Sequence, residues 1–297
     1  MNMIIDGSNL LHRSFWVAER SMNNTSNSVS FIFLKSLRTL IEKFKPSSTW
    51  VVWDKKITSN SLNFRKRLLL DKYKATRDQD RNAKVIAHHE IIEKFLSSLG
   101  VKQIYPNTLE ADDVISWLTK RVDEKCTVVS VDKDLLQLIN HNTQVYNPIK
   151  KQIINKENFL SIIGVELKDF LKYKALLGDE SDNIEGVESY GAIKCKKTCT
   201  NSIESISLTL TKEQFEVFER NLKVIDLSNS YNIEVGEAEV YEKQFNNINK
   251  IKPDINVFSK LCEECGFNSI IKDIQTWKRC FVSSQKLNDL IQSLNNI

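Results

Sequence analysis

Three short apolar segments, each followed by an aspartate, constrain the fold of this 297-residue chain more than any other feature. They run from Met3 to Ile5, from Thr49 to Trp53 and from Cys126 to Val131, and the acids that follow them are Asp6, Asp54 and Asp132. Apolar strands that alternate with amphipathic helices are typical of a buried, mostly parallel sheet with helices on both faces. The carboxyl ends of parallel strands meet at one edge, where ligands bind. We therefore expect an α/β fold in which three acids converge and repel each other unless cations lie between them.

The simpler interpretation is that each of these aspartates only begins a turn, which is a common role for Asp. Its occurrence at three strand ends favours a shared site. More acids crowd the first turn of a helix predicted from Asn107 to Val122, where Glu110, Asp112 and Asp113 lie within four residues. A capping box and the helix dipole account for one or two of them. Three exceed that need, so the sequence predicts metal ligation there.

The stretch from Tyr173 to Lys197 adds two acids and a cationic turn. Its acids are Asp179 and Asp182, its glycines include Gly178 and Gly191, and its lysines are Lys194, Lys196 and Lys197. Taken alone, it indicates a helix end capped by glycine and an acidic surface loop. Together with the other acids it favours a phosphate lying on the backbone N–H groups near Gly191, while metal ions on the carboxylates act on a neighbouring phosphate.

The stretch from Phe64 to Lys84 is strongly basic and lacks strand character. Eight Lys or Arg residues against three Asp give it a charge of +5 (8 − 3), whereas the whole chain carries only +4. Such runs are usually solvated faces. Here Phe64 and Tyr73 are interleaved with the charges, which suits a flexible strand whose bases stack while its phosphates are neutralised.

Composition sets the class of protein and its compartment. The N-terminus has neither a basic leader nor a long apolar stretch, so we expect a cytoplasmic protein without membrane spans. Six cysteines without a secretory signal predict reduced thiols, and the alternative of a four-thiolate zinc site is disfavoured because two of them fit a buried helix face. The sheet pattern ends beyond Gln144, so the sequence predicts an α/β domain over 1–150 and a mainly helical domain over 151–297.

Five motifs occur in a fixed order. They are Asp6-Gly7-Ser8-Asn9-Leu10, Tyr73-Lys74-x-x-Arg77, Glu110-Ala111-Asp112-Asp113, Asp132-x-Asp134 and Gly178-Asp179-x-x-Asp182-Asn183. Together they resemble the 5′ nuclease or flap endonuclease family. The stand-alone length and the stretch from Arg220 to Asp226 look most like its bacteriophage members, in particular the T-even phage ribonuclease H. The resemblance implies a PIN-like 5′ nuclease core, a helical arch at about residues 60–84, and a helix-three-turn-helix in the C-terminal part.

The resemblance also implies roles for individual residues. Nine acids match those that hold two divalent metals directly or through water: Asp6, Asp54, Glu110, Asp112, Asp113, Asp132, Asp134, Asp179 and Asp182. The residues that match groups engaging phosphate or a base near the cut are Arg13, Tyr73, Lys74 and Arg77, with Arg65 as a further arch residue. The hairpin with Gly191 and its three lysines matches the part that grips duplex DNA and holds a potassium ion, although Tyr190 and Cys195 are bulkier than usual there.

By this resemblance we expect a metal-dependent 5′-3′ exonuclease and flap endonuclease that uses two Mg²⁺, with Mn²⁺ able to substitute. It would remove flaps and RNA primers during phage DNA replication, as a monomer, from DNA and RNA–DNA hybrids with a 5′ single-stranded end. A single-strand-binding protein or a sliding clamp is the expected protein partner. One alternative is a PIN-type single-strand ribonuclease, which needs neither hairpin nor basic arch. The other is a non-catalytic junction-binding protein, disfavoured because so many uncompensated carboxylates would repel phosphate.

Overall fold

A computed structural model describes residues 1–21, 25, 27–54, 64–69, 74, 79–122, 124–228, 230–248 and 252–283. The predictions for Tyr73 and Arg77 lie outside these residues. The strands are β1 Asn2–Asp6, β2 Ser48–Val52, β3 Lys102–Ile104, β4 Cys126–Val129, β5 Thr143–Asn147 and β6 Gln152–Ile154. The helices of the first half are α1 Gly7–Glu19, α2 Ser28–Phe44, α3 Phe64–Leu69, α4 Gln79–Ile86, α5 His89–Ser98 and α6 Ala111–Arg121.

Beyond β6 the described chain is helical. Its helices are α7 Phe159–Ile163, α8 Phe170–Leu177, α9 Ala192–Thr198, α10 Ile203–Thr209, α11 Lys212–Ile225, α12 Ser230–Ile233, α13 Glu237–Ile248, α14 Ile255–Glu264, α15 Asn268–Lys272 and α16 Ile274–Lys278. None of the helices in the described ranges is both long and apolar enough to cross a membrane.

The six strands form one sheet in the order β3-β2-β1-β4-β5-β6. All neighbours pair in parallel except β5 and β6, which are antiparallel. Every residue of β1 is buried, as expected for a central strand covered on both faces. The predicted α/β class with a mostly parallel sheet is confirmed.

The sheet continues further along the chain than the sequence predicted. The apolar pattern was expected to end beyond Gln144, but β5 and β6 follow and form a hairpin at one edge. The polar residues Thr143, Gln144 and Asn147 interrupt the apolar run in β5, so its pattern differs from that of the inner strands. The sequence also predicts one helix from Ala83 to Leu99, but a turn at Ala87 and His88 divides this range between α4 and α5.

Two large hydrophobic clusters cover the two faces of the sheet. Ile4 belongs to one cluster, whereas Met3 and Ile5 belong to the other, because successive side chains of a strand point to opposite faces. Helices of the second half supply both clusters, with Phe218 on the first face and Trp277 on the second. The proposed division into domains at residue 150 stays a prediction, and the two halves share their cores.

Close packing of α1 against β2 fixes the position of the first acid. A Cβ atom on Gly7 would lie 2.6 Å from Val51 Cγ1 and 2.8 Å from the carbonyl oxygen of Val52. Only glycine therefore permits this approach. It places the start of α1 directly above the carboxyl ends of β1 and β2.

Candidate active site

Asp6, the last residue of β1, is also the N-cap of α1. Its Oδ1 accepts a hydrogen bond from the Asn9 amide at 2.9 Å, and its Oδ2 accepts one from the Ser130 hydroxyl at 2.8 Å. Burial raises the pKa of Asp6 to about 7, and the nearby carboxylates of Asp54 and Asp132 add to the rise against these hydrogen bonds. The strand end thus holds a carboxyl group whose charge is poorly compensated.

The end of β4 supplies the next acids through a short turn. The Ser130 hydroxyl, which donates to Asp6, also accepts a hydrogen bond from the Asp132 amide at 3.0 Å. Asp132 Oδ1 in turn accepts one from the Asp134 amide at 2.8 Å. Ser130 was not predicted as part of the site, although its place just before the acids at a strand end is a usable signal in the sequence.

Asp54 connects the end of β2 to two other elements. Its amide donates to the Ser8 hydroxyl at 2.9 Å, and its Oδ1 accepts a hydrogen bond from the Ala111 amide at 2.9 Å. The side chain is exposed. These bonds fasten the first turn of α6 to the edge of the sheet where Asp6 lies.

The first turn of α6 presents two acids towards this edge. Glu110 Oε1 accepts a hydrogen bond from Lys74 Nζ at 2.7 Å. Burial raises the pKa of Asp112 well above its ordinary value, and the charges of Asp132 and Asp6 raise it further, while Lys74 opposes the shift. Asp112 thus lies near enough to Asp132 and Asp6 for their charges to act on it.

The third acid of this turn is placed differently. Asp113 has no exposed surface, and its two carboxylate oxygens each accept a hydrogen bond of 2.7 Å from the guanidinium of Arg65. Arg65 itself is 2% exposed. Asp113 is therefore not available to a metal in this structure, nor Arg65 to nucleic acid, because each neutralises the other in the interior.

Lys174 lies within the acid cluster and is a member that was not predicted from the sequence. Its Nζ is 2.8 Å from Asp134 Oδ1 and also contacts Asp179 Oδ2. Burial alone lowers the pKa of Lys174, but the two carboxylates raise it by more. Burial raises the pKa of Asp134 to about 6, although Lys174 opposes that rise. The sequence carries no local signal for this role, because a lysine in the last turn of a helix is ordinarily solvated.

Asp179 and Asp182 are held in a tight turn after α8. Asp179 and Ile184 form an isolated antiparallel bridge, and Gly178 has a φ of +78° that disfavours other residues. Asp182 lies 3.6 Å from Lys74 Nζ, and its carbonyl oxygen accepts a hydrogen bond from the Lys74 amide at 3.2 Å. Lys74 therefore contacts acids from two separate segments.

The hairpin residues occupy a separate surface. Gly191 precedes α9 as its N-cap, and it is exposed together with Lys194, Lys196 and Lys197. The Lys194 ammonium lies 3.7 Å from the centre of the Tyr190 ring. Arg13 lies half-buried on α1. All four cations are at least partly accessible.

The acid cluster fits a divalent metal by its chemistry. In the part of the chain that the structure describes, no three Asp, Glu, His or Cys side chains form a ready-made metal site, and the ammonium groups of Lys74 and Lys174 lie among the carboxylates. Carboxylate oxygens are the ligands that hard divalent cations prefer. Burial raises the pKa values of Asp6 and Asp112 and neighbouring carboxylates raise them further, so a cation bound beside them would favour their charged forms. The carboxylates of the cluster can therefore bind divalent cations when they no longer pair with Lys74 and Lys174.

Comparison with known proteins defines the class to which this fold and this site belong. Residues 1–164 match the family model described as the 5′-3′ exonuclease, N-terminal resolvase-like domain. This is more than half of the chain, so the chain belongs to the 5′-3′ exonuclease family.

Relatives and solved structures agree with this assignment. The chain is 29% identical over 290 residues to a 5′-3′ exonuclease of Aquifex aeolicus, which covers 91% of this chain and 94% of the relative. Its fold is similar to a bacteriophage T5 protein co-crystallised with metal ions, with a TM-score of 0.70, 20% identity, and 84% and 98% of the two chains covered. A T5 flap endonuclease in a pseudo-enzyme-product complex with DNA and metal ions has a TM-score of 0.66 at 21% identity, with 84% and 98% covered. At these identities the structures show a shared fold.

Proposed function

We propose that this protein is a divalent-metal-dependent 5′-3′ exonuclease and flap endonuclease that hydrolyses phosphodiester bonds near junctions between a 5′ single strand and a duplex. The observation that carries the proposal is the cluster of acids from β1, β2, β4, α6 and the turn after α8, with Lys74 in contact with two of its members. The T5 flap endonuclease complex with DNA and metal ions supports it by analogy.

The metal ligands we propose are the acids that the structure leaves accessible or only half-buried at the sheet edge, together with Asp6. They are Asp6, Asp54, Glu110, Asp112, Asp132, Asp134, Asp179 and Asp182. When bound, two Mg²⁺ ions would lower the pKa of a bound water and stabilise negative charge on the phosphate, and Mn²⁺ would do the same. Asp113 is omitted from this set because Arg65 neutralises it in the interior.

Lys74 has the position to stabilise negative charge that develops on the phosphate. Its ammonium lies between Glu110 and Asp182, so it is held at the acid cluster yet belongs to the basic segment. A cation placed where charge develops contributes more in the transition state than in substrate binding. We assign Tyr73 and Arg77, which lie outside the described residues, to contacts with the phosphate or base beside the cut.

The exposed hairpin supplies the duplex-binding surface. Phosphate oxygens accept hydrogen bonds from backbone N–H groups and from Lys side chains, and Gly191 with the three hairpin lysines offers both. We also assign to nucleic-acid binding Arg13, which lies on α1, and a potassium ion held by the hairpin. Substrates of this kind arise as flaps and RNA primers in DNA replication, and a sliding clamp or single-strand-binding protein fits as a partner. Because the relative reported above is bacterial, we do not restrict this role to phage replication.

A flap substrate tests the function directly. A duplex with a 5′ single-stranded flap, labelled separately at each end, is incubated with the protein in Mg²⁺ or in excess EDTA. We expect a released flap and a 5′ phosphate at the junction in Mg²⁺ alone. A blunt duplex and a free RNA strand serve as controls, since preferential cleavage of the RNA strand indicates a PIN-type single-strand ribonuclease. Full activity in EDTA would falsify the metal-dependent mechanism.

A further inference from the structure

The buried ion pair between Arg65 and Asp113 connects the basic segment to the helix that carries the site. Arg65 belongs to α3, and its Nε donates to the carbonyl oxygen of Val224 at 2.9 Å while its other nitrogens hold Asp113. One planar side chain thus joins α3, the first turn of α6 and the end of α11. A guanidinium can make this set of bonds because its donors are fixed in one fork.

Asp113 transmits this contact to a residue of the acid cluster. Its Oδ2, which accepts from Arg65, also accepts a hydrogen bond from the Glu110 amide at 3.0 Å and closes a capping box. The Glu110 side chain then accepts a hydrogen bond from Lys74. Arg65 Nη1 is itself 4.0 Å from Glu110 Oε2. An unbroken series of contacts therefore runs from Arg65 to Lys74 through the first turn of α6.

We propose that Arg65 is a positioning residue for phosphodiester cleavage, acting through Asp113 to hold Glu110 and Lys74 in place. This inference rests on the proposed nuclease function. With 2% of its surface exposed, Arg65 acts without touching the substrate. Arg65 binds the start of the basic segment to the first turn of α6 through Asp113. Lys74, further along the same segment, binds that turn through Glu110. The cleavage rate therefore depends on this pair while substrate binding does not.

The test replaces the guanidinium of Arg65 by an ammonium group and so keeps the positive charge. Arg65→Lys retains a cation that cannot hold both oxygens of Asp113 in one plane. The matched control is Arg38→Lys, because Arg38 also pairs with two acids, Glu42 and Asp273, but on α2 and away from the acid cluster. We expect Arg65→Lys to lower the single-turnover cleavage rate by about 10- to 100-fold with flap affinity within about twofold of the parent. Arg38→Lys should cleave at the parental rate.

A second variant separates positioning from folding. Arg65→Met combined with Asp113→Asn removes both buried charges, and the new amide oxygen still accepts the hydrogen bond from Glu110. Its melting temperature should stay near that of the parent while cleavage stays slow. Hydrogen exchange of the folded, metal-free Arg65→Lys protein gives a readout independent of activity, because the Glu110 amide should exchange faster than in the Arg38→Lys control.

The outcomes distinguish this inference from the proposed function. If the parent and Arg38→Lys do not cleave the flap, the nuclease function fails. If both cleave, and the folded double variant cleaves as fast as they do, the positioning role is overturned. Unchanged exchange at Glu110 in Arg65→Lys would likewise overturn it.

Discussion

The Asp6 carboxyl group combines burial with neighbouring negative charge. Because its pKa rises to about 7 in the folded chain from an ordinary value of 3.8, the folded state keeps a proton that the unfolded state has lost between these values. Without metal, the stabilisation from this proton is complete below about pH 4 and is lost as the pH rises through about 7.

Asp6→Asn should therefore stabilise the metal-free protein at pH 8, by up to about 4 kcal/mol, and the gain should shrink towards pH 4. Denaturant unfolding in EDTA across this range measures it. The control is Asp254→Asn, since Asp254 also caps a helix, α14, but at an exposed position. A gain that does not change with pH would contradict the prediction.

Lys174 supplies positive charge inside the acid cluster. Its side chain is 7% exposed and pairs with Asp134 and Asp179. Lys174→Met should lower the stability of the metal-free protein by about 3–5 kcal/mol, because the two carboxylates lose their cation. Added Mg²⁺ should then raise the melting temperature of the variant more than that of the parent, since metal binds where repulsion is greater.

The control for this prediction lies on the same helix. Lys172→Met removes an ion pair with Asp169 outside the cluster and should leave the effect of Mg²⁺ on melting unchanged. Equal Mg²⁺ effects in the parent and Lys174→Met would mean that Lys174 does not compete with metal for these acids.

The position of a residue in the site can be predicted from the sequence in some cases and not in others. Asp6, Asp54 and Asp132 could be predicted because each follows its own strand, and parallel strands bring their ends together. The pair of Arg65 with Asp113 could not, because the partners are 48 residues apart and no local pattern joins them. Lys174 has the same difficulty, since a lysine in a last helical turn is normally a solvated residue that favours the helix dipole.

The hairpin after α8 depends on close backbone contact. A Cβ atom on Gly186 would lie 2.2 Å from the carbonyl oxygen of Leu177, whereas a Cβ on Gly191 would meet nothing within 4 Å. Gly186→Ala should therefore destabilise the protein by about 1–3 kcal/mol, and Gly191→Ala should change its stability by less than about 0.5 kcal/mol. Denaturant unfolding of the two variants compares them, and equal effects would contradict this packing.

The hairpin lysines belong to the same element. Replacing Lys194, Lys196 and Lys197 together by Gln should weaken duplex binding and reduce the slope of log K against log salt by up to about 3 units. Triple replacement of Lys150, Lys151 and Lys156, which lie around β6 away from α9 in the sequence, is the control. An unchanged slope in the hairpin variant would assign these lysines to a solvated surface.

Elements were predictable where their pattern was strong. The inner strands and α2, α6, α11 and α14 follow their apolar periodicity closely. The hairpin of β5 and β6 was not predicted because β5 contains three polar residues and β6 is only three residues long, so neither strand gives a clear apolar run. The break between α4 and α5 was missed because no Gly or Pro marks the turn at Ala87 and His88.

At the scale of the whole molecule, the last helices complete a core that begins with β1. Trp277 on α16 has no exposed surface, and it packs in the cluster that contains Met3 and Ile5. Trp277→Ala should cost about 3–5 kcal/mol of unfolding free energy. Leu208→Ala, at a side chain that is 89% exposed, should change it by less than about 0.5 kcal/mol. Denaturant unfolding measures both, and similar values would show that the last helices contribute little to the core.

The order of the site along the chain has a consequence for synthesis. Its acids begin at Asp6 in the first strand, and the last of them, Asp182, is reached well into the second half of the polypeptide. A chain emerging from the ribosome folds from its N-terminus, and until the turn after α8 has left the exit tunnel it lacks both Lys174 and two acids of the cluster. The acid cluster therefore stays incomplete during the early part of synthesis, and the site assembles only when most of the chain has been translated.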